Sequence, residues 1–359
     1  MKKLIAILLA ALMLVSFAAC TNTDSEDPTD GDTATVADDA TVADDATVAD
    51  DATAADDASD AATDVEYVKN IKVGTGGTTG TYYAFTTAVG QILATDNYNF
   101  EILSTGGSQA NIEMIEDGDI KMAIVQNDVM NYAYTGTNGF TAPITSFSAV
   151  ACVYPEVCQL IATKASGIKS VADLKGKNVA VGDVGSGVYY NATQILAAAG
   201  LDIDADINKT AASFGDSATQ LKDGSIDAAF ITAGTPTTAI TELATSTEIV
   251  AVDLGEDVIK NLQEEYSFYA AYEMTEKDYD FITEPVNTVS IMATFVVSND
   301  MPEEQVYEIT KALWEKVDDI SVAHAKGKEM STDLAASAIG DVPLHAGAAK
   351  YYKEAGIIE

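Results

Sequence analysis

The chain contains no arginine, and that absence narrows every functional reading. A site that clamps a carboxylate or phosphate commonly uses the bidentate guanidinium fork. Any anion held here must instead meet backbone N–H groups, Ser/Thr hydroxyls, tyrosines or a lysine. Histidine is scarce as well: His324 and His345 are the only two, both in the C-terminal helical segment and far from any cysteine, so no metal cluster is expected. Lys+Arg 19 against Asp+Glu 56 leaves a formal net charge of −37, which argues against nucleic acid and anionic membrane surfaces as partners. No Gly-Lys-Ser/Thr occurs for a P-loop, and Gly74-x-Gly76-x-x-Thr79 misses the third glycine of a dinucleotide fingerprint. Ser186 lacks the Gly-x-Ser-x-Gly spacing of a hydrolase elbow. With no convergent acid–base set, neither catalysis nor a cofactor is expected.

Cysteine is sparse, and its first copy is the most telling. Lys2-Lys3 precede an apolar run from Leu4 to Val15, followed by Ser16-Phe17-Ala18-Ala19-Cys20. The run is too short to span a bilayer and has the layout of an export signal. A cysteine directly after Ala-Ala matches the bacterial lipobox, with Phe17 where an aliphatic residue is more usual. Residues 1–19 therefore read as a lipoprotein signal peptide and Cys20 as the lipidation site, placing the protein outside the cytoplasm and tethered to the bacterial cell membrane by lipid alone. From 20 to 66 the composition collapses to Ala, Asp, Thr and Val, with Thr-Val-Ala-Asp-Asp-Ala recurring from Thr35. This is expected to be a disordered acidic linker; it lacks the glycine and terminal glutamate of an EF-hand calcium loop. Cys152 and Cys158 lie six apart around Pro155, leaving two readings open: a disulfide across a bend, or two reduced thiols buried in adjacent strands.

What the chain does have is a long repeat centred on a glycine-rich stretch. Ile71-Lys-Val-Gly74-Thr-Gly76-Gly77-Thr-Thr-Gly80-Thr-Tyr82-Tyr83 starts as a β-like run, turns through glycines and re-emerges at helical spacing through Leu93. Such a turn leaves unpaired N–H groups at the helix start with the positive end of the helix dipole behind them, a ready anion site. Lys69-Asn70-Ile71-Lys72-Val73-Gly74 is echoed by Lys177-Asn178-Val179-Ala180-Val181-Gly182, and the tyrosine pair by Tyr189-Tyr190 after Gly185-Ser186-Gly187. Downstream, Gly107-Ser108 leading to Asp117-Gly118 is echoed by Gly215-Asp216-Ser217 leading to Asp223-Gly224. The pairs are offset by roughly 106–108 positions, which makes this a duplicated α/β lobe and not a solenoid unit. Two lobes that aim glycine-rich helix starts at each other predict a ligand gripped between them.

Strand and helix patterns alternate through both copies, predicting parallel sheet covered on both faces, with ligand contacts at the carboxyl ends of the strands. Two apolar runs, 147–153 and 157–163, flank Tyr154-Pro155-Glu156 between the copies, so the chain crosses between lobes there; the run 289–297 is the natural return. The predicted organisation is lobe 1 over 67–153, lobe 2 over 154–285, and a return strand with C-terminal helices of lobe 1 over 286–359. Val306, Ile309, Leu313 and Trp314 keep helical spacing, and Trp314 reads as a packing residue. His345 reads as a capping or packing group. At the strand ends, Asp128 and Glu156 suit a cationic group, and Gln126 and Asn127 offer uncharged hydrogen bonds. An amino acid would use this set well.

Val-Gly-Thr-Gly-Gly-x-x-Gly-Thr-Tyr-Tyr at 73–83, Ser-Thr-Gly-Gly-Ser at 104–108, Tyr-Pro-Glu at 154–156, Gly-Ser-Gly at 185–187 and Val-Pro-Leu-His-x-Gly-Ala at 342–348 together resemble the TAXI family. These are the solute receptors of one branch of tripartite ATP-independent periplasmic (TRAP) transporters. The resemblance covers nearly the whole chain beyond the linker. It implies the two-lobed α/β class II periplasmic-binding-protein fold, a monomer that closes on a small organic anion or an amino acid such as glutamate or glutamine and delivers it to TRAP membrane permease subunits. Carried over residue by residue, it implies contacts from Gly76, Gly77, Thr78 and Tyr82, then Ser108 and Asn111, then Gln126 and Asp128. Tyr154 and Glu156 follow at the crossing, Gly185, Ser186 and Gly187 at the second turn, and Thr232 and Gly234 from the opposite lobe. A bulky residue at Gly77 is expected to abolish binding. The missing arginine fits this branch better than the other main TRAP receptor branch. The rival readings are the receptor of an ATP-driven (ABC) importer, a ligand-responsive surface signalling protein, and an enzyme on the same architecture.

Overall fold

The computed structural model describes residues 66–359; the expected leader, lipidated Cys20 and acidic linker to residue 65 lie outside the described residues. The first copy of the repeat folds as β1 (Asn70–Gly74), α1 (Thr81–Leu93), β2 (Asn99–Leu103), α2 (Ser108–Glu116), β3 (Met122–Gln126) and α3 (Asn127–Thr135). A long strand, β4 (Phe147–Thr163), leads to the second copy. That copy runs β5 (Asn178–Ala180), α4 (Val188–Ala198), β6 (Asn208–Thr210), α5 (Phe214–Asp223), β7 (Ala228–Ala233) and α6 (Thr238–Ala244). β8 (Ile249–Ala251), α7 (Glu256–Glu265) and β9 (Ala270–Met274) complete that side before β10 (Val286–Ser298) returns. The chain finishes with α8 (Glu303–Glu315), α9 (Val317–Ala323) and α10 (Ala346–Glu354).

The strands form one sheet in the order β2-β1-β3-β10-β4-β7-β5-β6, with β8 added to β4 and β9 to β10. The order reads the same from either end of the duplication. β1 pairs in parallel with β2 and β3, and β5 with β6 and β7. The third strand of each copy then meets a crossing strand antiparallel: β3 meets β10, and β7 meets β4. β4 and β10 pair with each other, so two long strands join two α/β lobes. β3 (Met-Ala-Ile-Val-Gln) and β7 (Ala-Ala-Phe-Ile-Thr-Ala) are buried along their whole length, as strands covered on both faces must be. Each lobe accordingly has apolar clusters of its own: Phe85, Val150, Phe295 and Leu313 share one in the first lobe, and Leu160, Ile195, Phe230 and Leu262 share one in the second.

Four local expectations are revised or resolved. The crossing segment is a single strand through Tyr154-Pro155-Glu156, because ladder pairing with β10 runs across all three residues. Cys152 and Cys158 therefore lie on one extended strand, about 20 Å apart at roughly 3.3 Å per residue, well beyond disulfide reach. Both are buried free thiols, though on the same strand and not on adjacent ones. Trp314 is a packing residue whose indole N–H donates to Tyr352 OH at 2.9 Å, and that hydroxyl donates to Val150 O at 2.7 Å. His345 is the N-cap of α10, its Nδ1 accepting the Gly347 N–H at 3.2 Å. Among the described residues no helix is long and apolar enough to cross a membrane.

Candidate functional site

Four helix starts converge where the lobes meet, and the sequence dictates three of them in the same way. Glycine precedes α1 (Gly80), α2 (Gly107) and α4 (Gly187), and none of these helices has a side-chain cap. Glycine lets the chain turn sharply into the helix, most visibly at Gly107 with φ 110°. It also supplies no side chain to occupy the first-turn N–H groups; of these the Ala110 N–H of α2 is taken by a carbonyl of the other lobe, while those of Ser108 and Gln109 remain open to an outside acceptor. The fourth helix, α5, is capped conventionally: Ser213 Oγ accepts the Asp216 N–H at 3.2 Å. A cavity of about 60 Å³ lies among these starts.

The lobes are shut on one another around this cavity. Ala110 N–H donates to Gly185 O at 3.0 Å and Ala239 N–H to Thr79 O at 3.3 Å. Thr81 Oγ1 donates to Gly234 O at 2.8 Å, and Tyr190 OH to Gln109 Oε1 at 2.8 Å. The approach is so close that a β-carbon at Gly106 would stand 2.5 Å from Val184 O.

Of the residues named from sequence, Gly76, Gly77, Tyr82, Ser108, Gln126, Glu156, Ser186, Gly187 and Thr232 line the cavity. Six do not. Thr78 is exposed on the turn. Asn111 lies beneath it, its Nδ2 donating to Thr75 O and Ile124 O at 2.7 and 3.0 Å, so it holds the turn in shape. Asp128 sits behind Gln126, bonded to Asn191 across the interface. Tyr154 packs its ring against Phe85, centroids 4.9 Å apart. Gly185 and Gly234 contribute carbonyls to the interlobe contacts above. The cavity also takes in Gly80, Thr81, Gly106, Gly107, Asp183, Val188, Ser213, Phe214 and Ala233, which the sequence reading did not name as contacts. Ser213 and Phe214 begin the counterpart of α2 in the second copy, so applying the repeat consistently would have found them.

The charged side chains on the cavity wall are both acidic, Glu156 and Asp183. Tyr82 OH donates to Glu156 Oε2 at 2.5 Å. Burial holds the Glu156 carboxyl well above the ordinary carboxylate range; the Tyr82 bond opposes this, nearby Asp128 adds to it, and Lys326 opposes it. Burial also pushes Asp128 up to about 7, against hydrogen bonds from the Val129 N–H and Asn191. Lys326, itself buried, donates to Glu329 Oε1 at 2.7 Å and lies 5.9 Å from the centroid of the Tyr154 ring. Gln126 Oε1, Ser186 Oγ and Tyr154 OH are buried with no hydrogen-bond partner among the described residues. Two of these three, on Gln126 and Ser186, belong to cavity-lining residues. The arrangement thus offers helix-start N–H groups to an anion and carboxylates to a cation within one enclosure.

A family model described as the NMT1-like family matches residues 73–356. Among solved structures, the chain is similar to the alkanesulfonate-binding protein SsuA from Xanthomonas axonopodis pv. citri bound to MOPS (15% identity, 80% of this chain and 84% of that one, TM-score 0.47). It is also similar to a chain from a study of glutathione import through GshT and the cystine importer TcyBC of Streptococcus mutans (13% identity, 73% and 97% covered, TM-score 0.49). A third is an ancestral arginine-binding protein bound to arginine (16% identity, 72% and 97% covered, TM-score 0.46). Likenesses at these scores carry no argument about ligand or partner.

Proposed function

The chain belongs to the NMT1-like family, and from that membership and the cavity's construction we propose that it is an extracytoplasmic solute receptor that closes its two lobes on a small organic anion or amino acid. The observation that carries this reading is the convergence of three uncapped, glycine-started helices on one interlobe cavity. Helix starts of this kind hold anions without arginine, and Glu156 beside them suits an ammonium group. Glutamate and glutamine, small and zwitterionic, are the favoured cargo. Transport and not turnover is the role proposed: the two histidines serve as a helix cap and as a partner of Phe85, ring centroids 5.6 Å apart, and neither lines the cavity.

The finer assignment, a TAXI-type receptor tethered through Cys20 and serving TRAP permease subunits, rests on the motifs at 73–83, 104–108, 154–156, 185–187 and 342–348. A thermal-shift screen of the purified protein against small carboxylates and amino acids tests the receptor reading, because a ligand selective for the folded form raises the melting temperature by mass action. A shift for one compound class, with the compound recovered unchanged, is the expected result; no shift for any of them would count against it. Recovery of membrane partners after crosslinking in cells separates a TRAP permease from an ATP-driven importer.

A further inference from the structure

The duplicated tyrosine pair of the second turn divides its contacts between the lobes. Tyr189 packs against the apolar cluster of its own lobe, with Lys209 Nζ 5.2 Å from its ring centroid. Tyr190, the next residue of α4, packs instead against a first-lobe cluster built on Ile112, Val125 and Met130. Its ring lies parallel to Phe140 of the loop between α3 and β4, centroids 6.1 Å apart and planes at 4°. Tyr132 of α3 tilts against the same ring at 6.1 Å, and the Tyr190 hydroxyl donates to Gln109 Oε1 of α2 at 2.8 Å. The loop is shaped to this ring: Asn138 and Gly139 turn through φ 49° and 104°, and a β-carbon at Gly139 would stand 3.2 Å from Tyr190 Cε1. Asn191, one residue further, also crosses the interface, its Nδ2 donating to Asp128 Oδ2 and its Oδ1 accepting Gln126 Nε2, both at 2.9 Å. None of Tyr190, Phe140, Tyr132 and Gln109 lines the cavity.

We propose that Tyr190 is a clasp for lobe closure: its ring and hydroxyl, seated against Phe140, Tyr132 and Gln109 of the first lobe, hold the lobes together from outside the cavity. The inference goes beyond the receptor reading, since it depends on no particular cargo. Every interlobe contact weighs on the open–closed ratio, and one outside the cavity acts whatever the cavity holds. An offset aromatic pair and a neutral hydrogen bond each favour the arrangement that contains them by several-fold. Rotation about β4 and β10 would carry Tyr190 away from all its partners at once, because every one of them belongs to the first lobe.

Residual dipolar couplings of the isotopically labelled full protein, recorded with no ligand added, test this, because they report how the two lobes are oriented. Tyr190→Ala is expected to move the open-to-closed ratio about 10- to 100-fold toward open. Tyr190→Phe, which loses only the hydroxyl, should move it about 2- to 10-fold. Phe140→Ala reaches the same contact from the first lobe, a second route should the Tyr190 variants fail to fold. Combined with Tyr190→Ala it should add little, since the pair is already gone. Couplings within each lobe should match those of the unmodified protein, which separates lost closure from damaged folding. Interlobe couplings that are the same in the unmodified protein and in the folded variants, whether the lobes are together or apart, would overturn the inference. That result would leave the receptor reading standing, because the thermal-shift screen tests it separately.

Discussion

A β-carbon at Gly187 would land on Gln126 Oε1, a side chain held in place by its bond to Asn191. Gly187→Ala should therefore obstruct lobe closure while sparing each lobe, weakening ligand binding roughly 10- to 100-fold with an unchanged melting temperature without ligand; titration and thermal unfolding together check it. Gly77, which the sequence singled out for this role, has more room: a β-carbon there meets only Ser213 Cβ at 4.0 Å. Sequence spacing marks a glycine-rich turn but not which of its glycines touches the opposing lobe. Asp128 carries a second residue-level expectation. Burial raises its carboxyl from 3.8 to about 7, so the folded protein holds a proton that the unfolded chain releases. This contribution to stability is fully present below the ordinary value and is lost as pH rises through about 7. Between pH 5 and 8 the melting temperature should fall with rising pH, and Asp128→Asn should flatten that slope by roughly 2–4 °C per pH unit. An identical slope in the variant would remove Asp128 from the account.

At the scale of elements, the duplicated strand–helix units were the most legible part of the chain. The offset repeat and the switch from β-like to helical spacing at Gly80 and Gly187 point to the folded units, and α1 begins at Thr81 and α4 at Val188. Less legible was the crossing. Pro155 and its neighbours read as an interruption, but a proline can sit in a strand where its missing N–H is not needed, and β10 carries the ladder past it. The buried network through Asn191 left no sequence signal, since an asparagine in the second turn's helix has no counterpart in the first copy, where Ala84 stands. The two crossing strands also anchor the core. Phe295 on β10 is fully buried and stacks on Phe85 of α1, centroids 6.1 Å apart. Phe295→Ala should cost about 3–5 kcal/mol, seen as a lower denaturation midpoint. A loss under about 1 kcal/mol would mean the site collapses to fill the gap.

For the whole molecule, the sheet's order explains why one cavity can serve both lobes. β3 and β7, the two strands whose carboxyl ends carry Gln126 and Thr232, are each one strand away from the β4–β10 pair. Rotation about that pair would separate the helix starts or bring them together without breaking either lobe's apolar clusters. What the sequence could convey at this scale was the duplication and the two crossings; what it could not convey was how tightly Gly106, Gly185 and Gly187 bring the lobes together. The central claim is that the ligand binds among the uncapped helix starts. An amide-resolved NMR titration of the protein with glutamate and with glutamine tests it most directly. The account predicts saturable shifts at the amides of Gly76, Gly77, Ser108 and Gly187, with smaller shifts along β4 and β10 as the lobes adjust. Shifts confined to other surfaces, or none with either compound, would contradict it.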